Sequence, residues 1–335
     1  MPDNQTVKDA LSKKGAYGAD IDIDRFDEGS KDSVVIDDME SSDYRKYMER
    51  VGVVADEMNR SGTLLFIDNA PSHCHAVQQE GLEMMSVKEA LKVHQGLKDY
   101  MWKAIDPTKD KYTAKTYLED ADGYFIRVKA GHHIKAPVQT CMMLDTDRTV
   151  QNVHNIVIVE DNASLEMITG CSTTHHANDA LHVGVSELYV GDNSSLTFSM
   201  IHSWGQKTGV RPRTGTIVGR NSAYTNNYVI LKPTKLPLRH SGRGRQRHVQ
   251  HHVHRPRRVR HRHRRDGVPE RKAQQRPDHE QEHLHGRTHD RPREARRQCA
   301  GDQGPPRVQE HNHEGRRLDE RRTRARGARR RRRDD

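Results

Sequence analysis

From Tyr112 to about Val218, apolar residues fall at every second position in short runs broken by Gly, Asn and Asp. A period of two puts one side of an extended chain against an interior. Gly123–Lys129, Val153–Glu160, Ser164–Thr169, His182–Val190, Ser195–His202 and Gly215–Val218 are therefore predicted strands. Before residue 110 the period is helical in two places. SSDYRKYMERVGVVADEM (41–58) is predicted helix despite Gly52. Ser86-Val87-Lys88-Glu89 has capping-box spacing, in which a hydroxyl and a carboxylate satisfy free amide N–H groups at a helix start. Behind it Ala90, Leu91, Val93, His94 and Leu97 form a helical stripe that stops before Asp106-Pro107. Met1–Lys31 is polar and predicted to be loose.

The strands repeat. VEDNASLEMI (159–168), VGDNSSLTFS (190–199) and VGRNSAYTNN (218–227) align, with Asn162, Asn193 and Asn221 at equivalent places. Asn tolerates the left-handed conformation that a tight strand-to-strand corner needs. Stacked β units follow, none able to bury its apolar side alone. The predicted fold is mainly β, a β-helix (solenoid) core behind an N-terminal α-helical region, with a jelly roll or ordinary sandwich as the competing architecture.

Charge divides the chain elsewhere. Met1–Pro233 holds 25 Lys and Arg against 33 Asp and Glu, whereas Thr234–Asp335 holds 32 against 14. The second segment has no Phe, Trp, Tyr, Ile or Met, yet holds 13 of the 23 histidines. The organisation expected is a mixed helical region over 1–110, a β-helix core over 111–233 and an Arg/His-rich tail over 234–335. That tail has almost no apolar surface to offset the entropy of ordering, so disorder is expected. A nucleic-acid-binding arm is the functional alternative, carried by Arg329–Arg333. The missing aromatics argue against stacking on single strands.

A third reading is a message translated out of frame. Codons permitted by Arg255–Lys272, read one base later, spell DPEGSDIDIGGTVYLNGK, a turn, strand, turn and strand. The same shift on Ser241–Gln250 permits AEEAGSVTFN, and between Pro306 and Asn312 it permits HLECKSI, with a cysteine codon spanning Val308 and Gln309. Several strand-like results at one constant offset favour a frameshift beginning near Pro233–Leu236.

The first 233 residues show neither a signal peptide nor an apolar run near ~18 residues, so a cytoplasmic protein is expected. Cys74, Cys141 and Cys171 are far apart without a CxxC, which argues against a disulfide framework or a closed zinc site.

HNIVIVED (154–161), TGCSTTHHANDALHVGVSELYVGDNSSLTF (169–198), MIHSWGQ (200–206), VRPRTGTIV (210–218) and NYVILKP (227–233) together resemble the SufB/SufD family of iron–sulfur cluster assembly proteins, its short archaeal-type members most of all. GYFIRVKAG (123–131) and QEGLEMMSVKEAL (79–91) extend the likeness toward the N-terminus, and the re-read tail prolongs it. The resemblance implies a right-handed parallel β-helix and a C-terminal segment that docks a SufC-type ATPase. It also implies pairing with a SufB/SufD-type partner or a second copy, and sulfur delivered by a cysteine desulfurase or sulfur carrier. The protein would be a scaffold for a nascent Fe–S cluster and no hydrolase itself. Flavin use, and a SufB-like or SufD-like role, are not legible in these residues.

Cys171 is the first candidate for chemistry. It is expected at a turn marked by Gly170, where a thiol could emerge, with His175 and His176 near enough in sequence to lower its pKa. In the resembled family this GCS cysteine accepts and relays sulfur, whereas a buried structural cysteine is the plain alternative. His175, His176 and His182 are possible accessory ligands or proton carriers. His154 and His202 lie on strand-like runs and read as core histidines. His73-Cys74-His75 suggests a metal clip, but adjacent residues on a strand face opposite ways and a triplet closes no tetrahedral set. Cys141, beside Met142-Met143, reads as core. The family's late cluster-assembly cysteine resembles the one in the re-read HLEC, a place held here by Val308-Gln309.

Overall fold

The computed structural model describes residues 2–15, 18–29, 34–77 and 79–231, and the backbone of His240–Gly244 and Arg247–His254. All of these fall in one compact unit, Met1–Asp302. The remainder of the 234–335 tail, with its expected disorder and its candidate arm, lies outside the described residues.

The strands are β1 (Asp27–Glu28), β2 (Gly62–Ile67), β3 (Ala70–Ala76), β4 (Leu82–Ser86), β5 (Tyr124–Val128), β6 (Val138–Leu144) and β7 (Thr149–Val159). They continue as β8 (Ser164–Thr173), β9 (Leu181–Val190), β10 (Ser195–Ser203), β11 (Gly209–Val218), β12 (Ser222–Ile230), β13 (His240–Gly244) and β14 (Arg247–His254). From β5 onward successive strands alternate between two sheets. One sheet runs β13-β11-β9-β7-β5-β4, with β1 also on β7, and the other runs β14-β12-β10-β8-β6-β2-β3. Pairings along the stack are parallel; β4 on β5 and β3 on β2 are antiparallel and close its first end. This is a β-solenoid. Parallel ladders between strands one coil apart exclude the jelly roll, whose neighbours run antiparallel.

Local chemistry explains each coil. Asn162, Asn193 and Asn221 all take left-handed φ, 55°, 53° and 52°, at the corner between an odd strand and the next even one. Their amides stack, Asn221 Nδ2 donating to Asn193 Oδ1 (3.3 Å) and Asn193 Nδ2 to Asn162 Oδ1 (3.4 Å). Beside them the Arg220 and Asp192 backbone N–H groups donate to Asp192 Oδ1 and Asp161 Oδ1, each at 2.7 Å. Between the sheets, register sets rows of inward side chains such as Leu165–Leu196–Tyr224 and Met167–Phe198–Asn226. Each large apolar side chain so buried contributes about 1.5–3 kcal/mol relative to exposure.

Several expectations shift. Strands β8 and β11 are longer than the alternation suggests, and β2, β3, β4, β6 and β12 were not anticipated. Within the first 110 residues, expected as a mixed helical region, β2, β3 and β4 accompany the helices and belong to the two sheets. The helix expected over 41–58 is only α2 (Arg45–Arg50), since Gly52 turns with φ +78° and the chain then lies flat on the sheet. Of the other helices, α1 (Asn4–Asp9), α3 (Val87–Val93) and α4 (Lys111–Leu118), α3 starts where the capping spacing places it, Ser86 Oγ accepting from Glu89 N at 3.2 Å. Strand pairing also passes the boundary expected at 233, because β13 pairs β11 and β14 pairs β12.

Remote segments cover both outer faces. Ile36–Ala55 packs Met48, Val51 and Val53 on Leu65, Cys141 and Met143. On the other sheet Leu97 and Met101 pack on Phe125, Ile156 and Ile158. Glu187, fully buried, fastens this second strap by accepting from the backbone N–H groups of Trp102 (2.6 Å), Ala104 (2.8 Å) and Ile105 (3.2 Å). Among the described residues no helix is long and apolar enough to cross a membrane.

Candidate functional site in the solenoid interior

Cys171 lies within β8, not at a turn. Its neighbours in register are Met142 on β6 and His202 on β10. Gly170 serves a different purpose from the one expected: a Cβ there would stand 2.4 Å from Val51 Cγ2, so the glycine lets the N-terminal cover lie against the sheet. Alternation then turns Cys171 inward, where it is 1 % exposed. Burial, with a smaller contribution from Cys141, pushes its thiol well above the ordinary cysteine value, opposite to the expected lowering.

Cys171 borders a small interior cavity of about 20 Å³, room for one water molecule. His182, Gly184 and Ser186 of β9 line it from the facing sheet, and His202 and Met200 lie beside Cys171. His182 Nδ1 meets Gln151 Oε1 at 2.7 Å, and its ring lies 4.8 Å from that of Trp204. Gly184 makes room for that ring, since a Cβ would come 2.6 Å from His182 Nε2. Burial drives His182 down to about 3 and His202 well below the usual histidine range, so both are neutral. His202 Nδ1 accepts from Trp204 Nε1 (3.1 Å) and lies 2.8 Å from the Tyr228 hydroxyl. Its Nε2 is buried without a hydrogen-bond partner.

Of the four sequence candidates, two meet here, Cys171 and His182. His175 and His176 do not line the cavity. They sit in the 174–180 connection, His175 Nδ1 2.6 Å from Tyr47 Oη and His176 Nδ1 3.0 Å from Asp145 Oδ1, with their rings 3.9 Å apart. His202, read as core, is the addition that sequence reasoning missed. A signal existed: the step that carries Asn162 to Asn193 also carries Cys171 to His202 and Gln151 to His182, and both pairs are in register. His154 is a satisfied core histidine as expected, bonded to Glu187 at 2.9 Å.

The His73-Cys74-His75 triplet divides as strand geometry requires. His73 and His75 share a face and hold Glu57 at 3.2 and 2.6 Å, while Cys74 packs against the interior. Burial disfavours the charged Glu57, but hydrogen bonds from His73, His75 and Thr63 together with the His75 charge outweigh it and hold the carboxyl at about 2. Cys141 and Cys171 are free, as the expectation of unpaired thiols has it. No group of three or more His, Cys, Asp or Glu among the described residues could hold a metal ion.

Stacked parallel coils with a thiol and two neutral imidazoles enclosed between them define a β-solenoid whose distinctive chemistry is internal. Residues 142–236 match the SufBD core domain of SUF-system FeS cluster assembly. An iron–sulfur cluster assembly SufBD family protein of Methanothermobacter thermautotrophicus is 41% identical over 233 residues, covering 68% of this chain and 57% of the relative. One from Archaeoglobus fulgidus is 38% identical over 192 residues, 57% of this chain and 51% of the relative. The chain belongs to the SufBD family, and spans just over half the length of these curated relatives. Nothing in these matches supports the nucleic-acid reading.

Proposed function

We propose that this chain is a scaffold component of iron–sulfur cluster assembly that receives sulfur on Cys171 and supports a nascent Fe–S cluster. The observation that carries the reading is the placement of Cys171 inside the matched core domain, on a strand whose neighbour supplies His202 and opposite a sheet that supplies His182. The cluster is cargo here. The protein provides surface and thiol rather than turnover, with ATP hydrolysis assigned to a separate SufC-type ATPase. A cysteine desulfurase or sulfur carrier delivers the sulfur, a SufB/SufD-type partner or second copy completes the assembly, and the setting is cytoplasmic.

The segment from about residue 234 belongs to the same proposal as message read one base out of frame. Val308-Gln309 then stands where the re-read text has its cysteine, and the chain as written is impaired in finishing a cluster although it can accept sulfur. Two experiments test this. Resequencing the gene should yield continuous strand-encoding text one base over from codon 235; an open frame confined to the Arg/His text refutes the frameshift. Anaerobic incubation with cysteine, a desulfurase, ferrous iron and a SufC-type ATPase should place sulfur on Cys171, with cluster absorbance and ATPase capture only for the frame-corrected protein. Sulfur loading unchanged by Cys171→Ala refutes the assignment.

A further inference from the structure

The imidazole protons in the interior are fixed by their partners. An indole N–H only donates, so His202 Nδ1, which receives Trp204 Nε1 at 3.1 Å, carries no proton and Nε2 does. That Nε2–H is buried and has no acceptor, although His202 is 1 % exposed. Gln151 Nε2 donates to the carbonyls of Asp68 (2.5 Å) and Met143 (3.2 Å), which leaves Gln151 Oε1 as the acceptor for His182. His182 therefore carries its proton on Nδ1 and presents a bare Nε2. One imidazole offers a donor, the other an acceptor, and both line a cavity of one-atom size beside the Cys171 thiol. An unpaired buried N–H is costly, a cost that a pre-formed site would recover on binding.

We propose that this cavity is a pocket for a single sulfur atom, the terminal sulfur of a persulfide on Cys171, with His202 Nε2–H as its hydrogen-bond donor. The proposal rests on Cys171 being a sulfur acceptor and adds the residues that hold the sulfur. A hydrogen disulfide anion supplies it. The Cys171 proton moves to the donor anion, giving neutral hydrogen disulfide, and Sγ attacks one of its two sulfurs. The new Sγ–S bond forms as the donor S–S bond breaks, and the bonding pair leaves with the departing sulfur. The departing hydrosulfide takes the proton of the new persulfide, so thiol plus hydrogen disulfide anion becomes cysteine persulfide anion plus hydrogen sulfide, with no external oxidant. The terminal sulfur keeps the negative charge and accepts from His202.

The test uses the full chain, sodium disulfide under argon, removal of excess reagent, and peptide mass analysis over time. The wild-type chain is expected to gain the mass of one sulfur atom on the Cys171 peptide. His202→Phe, which fills the space without a donor, should retain about tenfold less sulfur there, the loss of one hydrogen bond to a charged atom. His202→Gln, which restores an N–H, should recover part of it, a recovery that simple damage to packing would not produce. Near-ultraviolet circular dichroism of Trp204 checks the fold of each variant, and where His202→Phe fails to fold, the retention by His202→Gln against wild type decides. Equal retention by wild type and a folded His202→Phe overturns the pocket but leaves the acceptor role standing. Absence of sulfur on Cys171 in the wild type overturns both.

Discussion

Glu187→Ala offers the sharpest energetic test of how the site's outer wall is held. Glu187 faces away from the interior on β9, yet is fully buried beneath the strap around residues 97–105. Its oxygens accept from Trp102 N, Ala104 N, Ile105 N, Tyr189 Oη (3.1 Å) and His154 Nε2 (2.9 Å). Truncation strands the three backbone donors and His154 Nε2, each at about 1–3 kcal/mol if it stays dry, while Tyr189 Oη keeps the Tyr100 carbonyl. The costs do not simply add, because the strap can lift and hydrate its amides, so a loss of ~3–5 kcal/mol is expected. Glu187→Gln keeps the volume and one acceptor oxygen and should lose ~2 kcal/mol. Urea unfolding with a slope of about 1–3 kcal/mol/M would show the alanine variant's midpoint lower by roughly 1–5 M. Limited proteolysis should open a new cleavage site in the strap. A midpoint and cleavage pattern indistinguishable from wild type would refute the assignment of Glu187 as the clasp.

Three further outcomes are expected. His182 has a folded pKa near 3 against an ordinary 6.5, so only the unfolded chain takes up its proton between those values; its contribution is complete above pH 6.5 and lost as pH falls toward 3. Wild type should therefore lose ~2 kcal/mol more than His182→Gln between pH 6.5 and pH 5, and parallel urea titrations of the two would disprove it. Gly170→Ala should cost ~1–3 kcal/mol in thermal unfolding, because its Cβ would press on Val51 and Val53 at 2.4 and 2.8 Å; Gly96→Ala, with nothing within 4 Å, should not destabilise, and equal melting temperatures for the pair would contradict this. Iodoacetamide at pH 8 should leave Cys171 and Cys141 unmodified in the folded chain and alkylate both in denaturant, since both thiols are buried and raised; matching rates in the two states would show Cys171 to be open.

Alternating apolar residues and corner asparagines are local properties, and they were sufficient to read the coils from the sequence. An inward side chain at every second position, and a left-handed Asn at each corner, depend on backbone sterics within a few residues. Hence the strands that carry Leu165 and Phe198 follow from the alternation and the family likeness from collinear strings, whereas β12 with Tyr224 does not. What surrounds Cys171 depends on register between strands a full coil apart and on segments distant in the chain. Three facts lie beyond any local rule: His202 beside the thiol, Gly184 yielding space to His182, and Val51 lying against Gly170. Sequence nearness pointed to His175 and His176, but a β wall stands between neighbours in the chain, while parallel stacking joins residues one repeat apart.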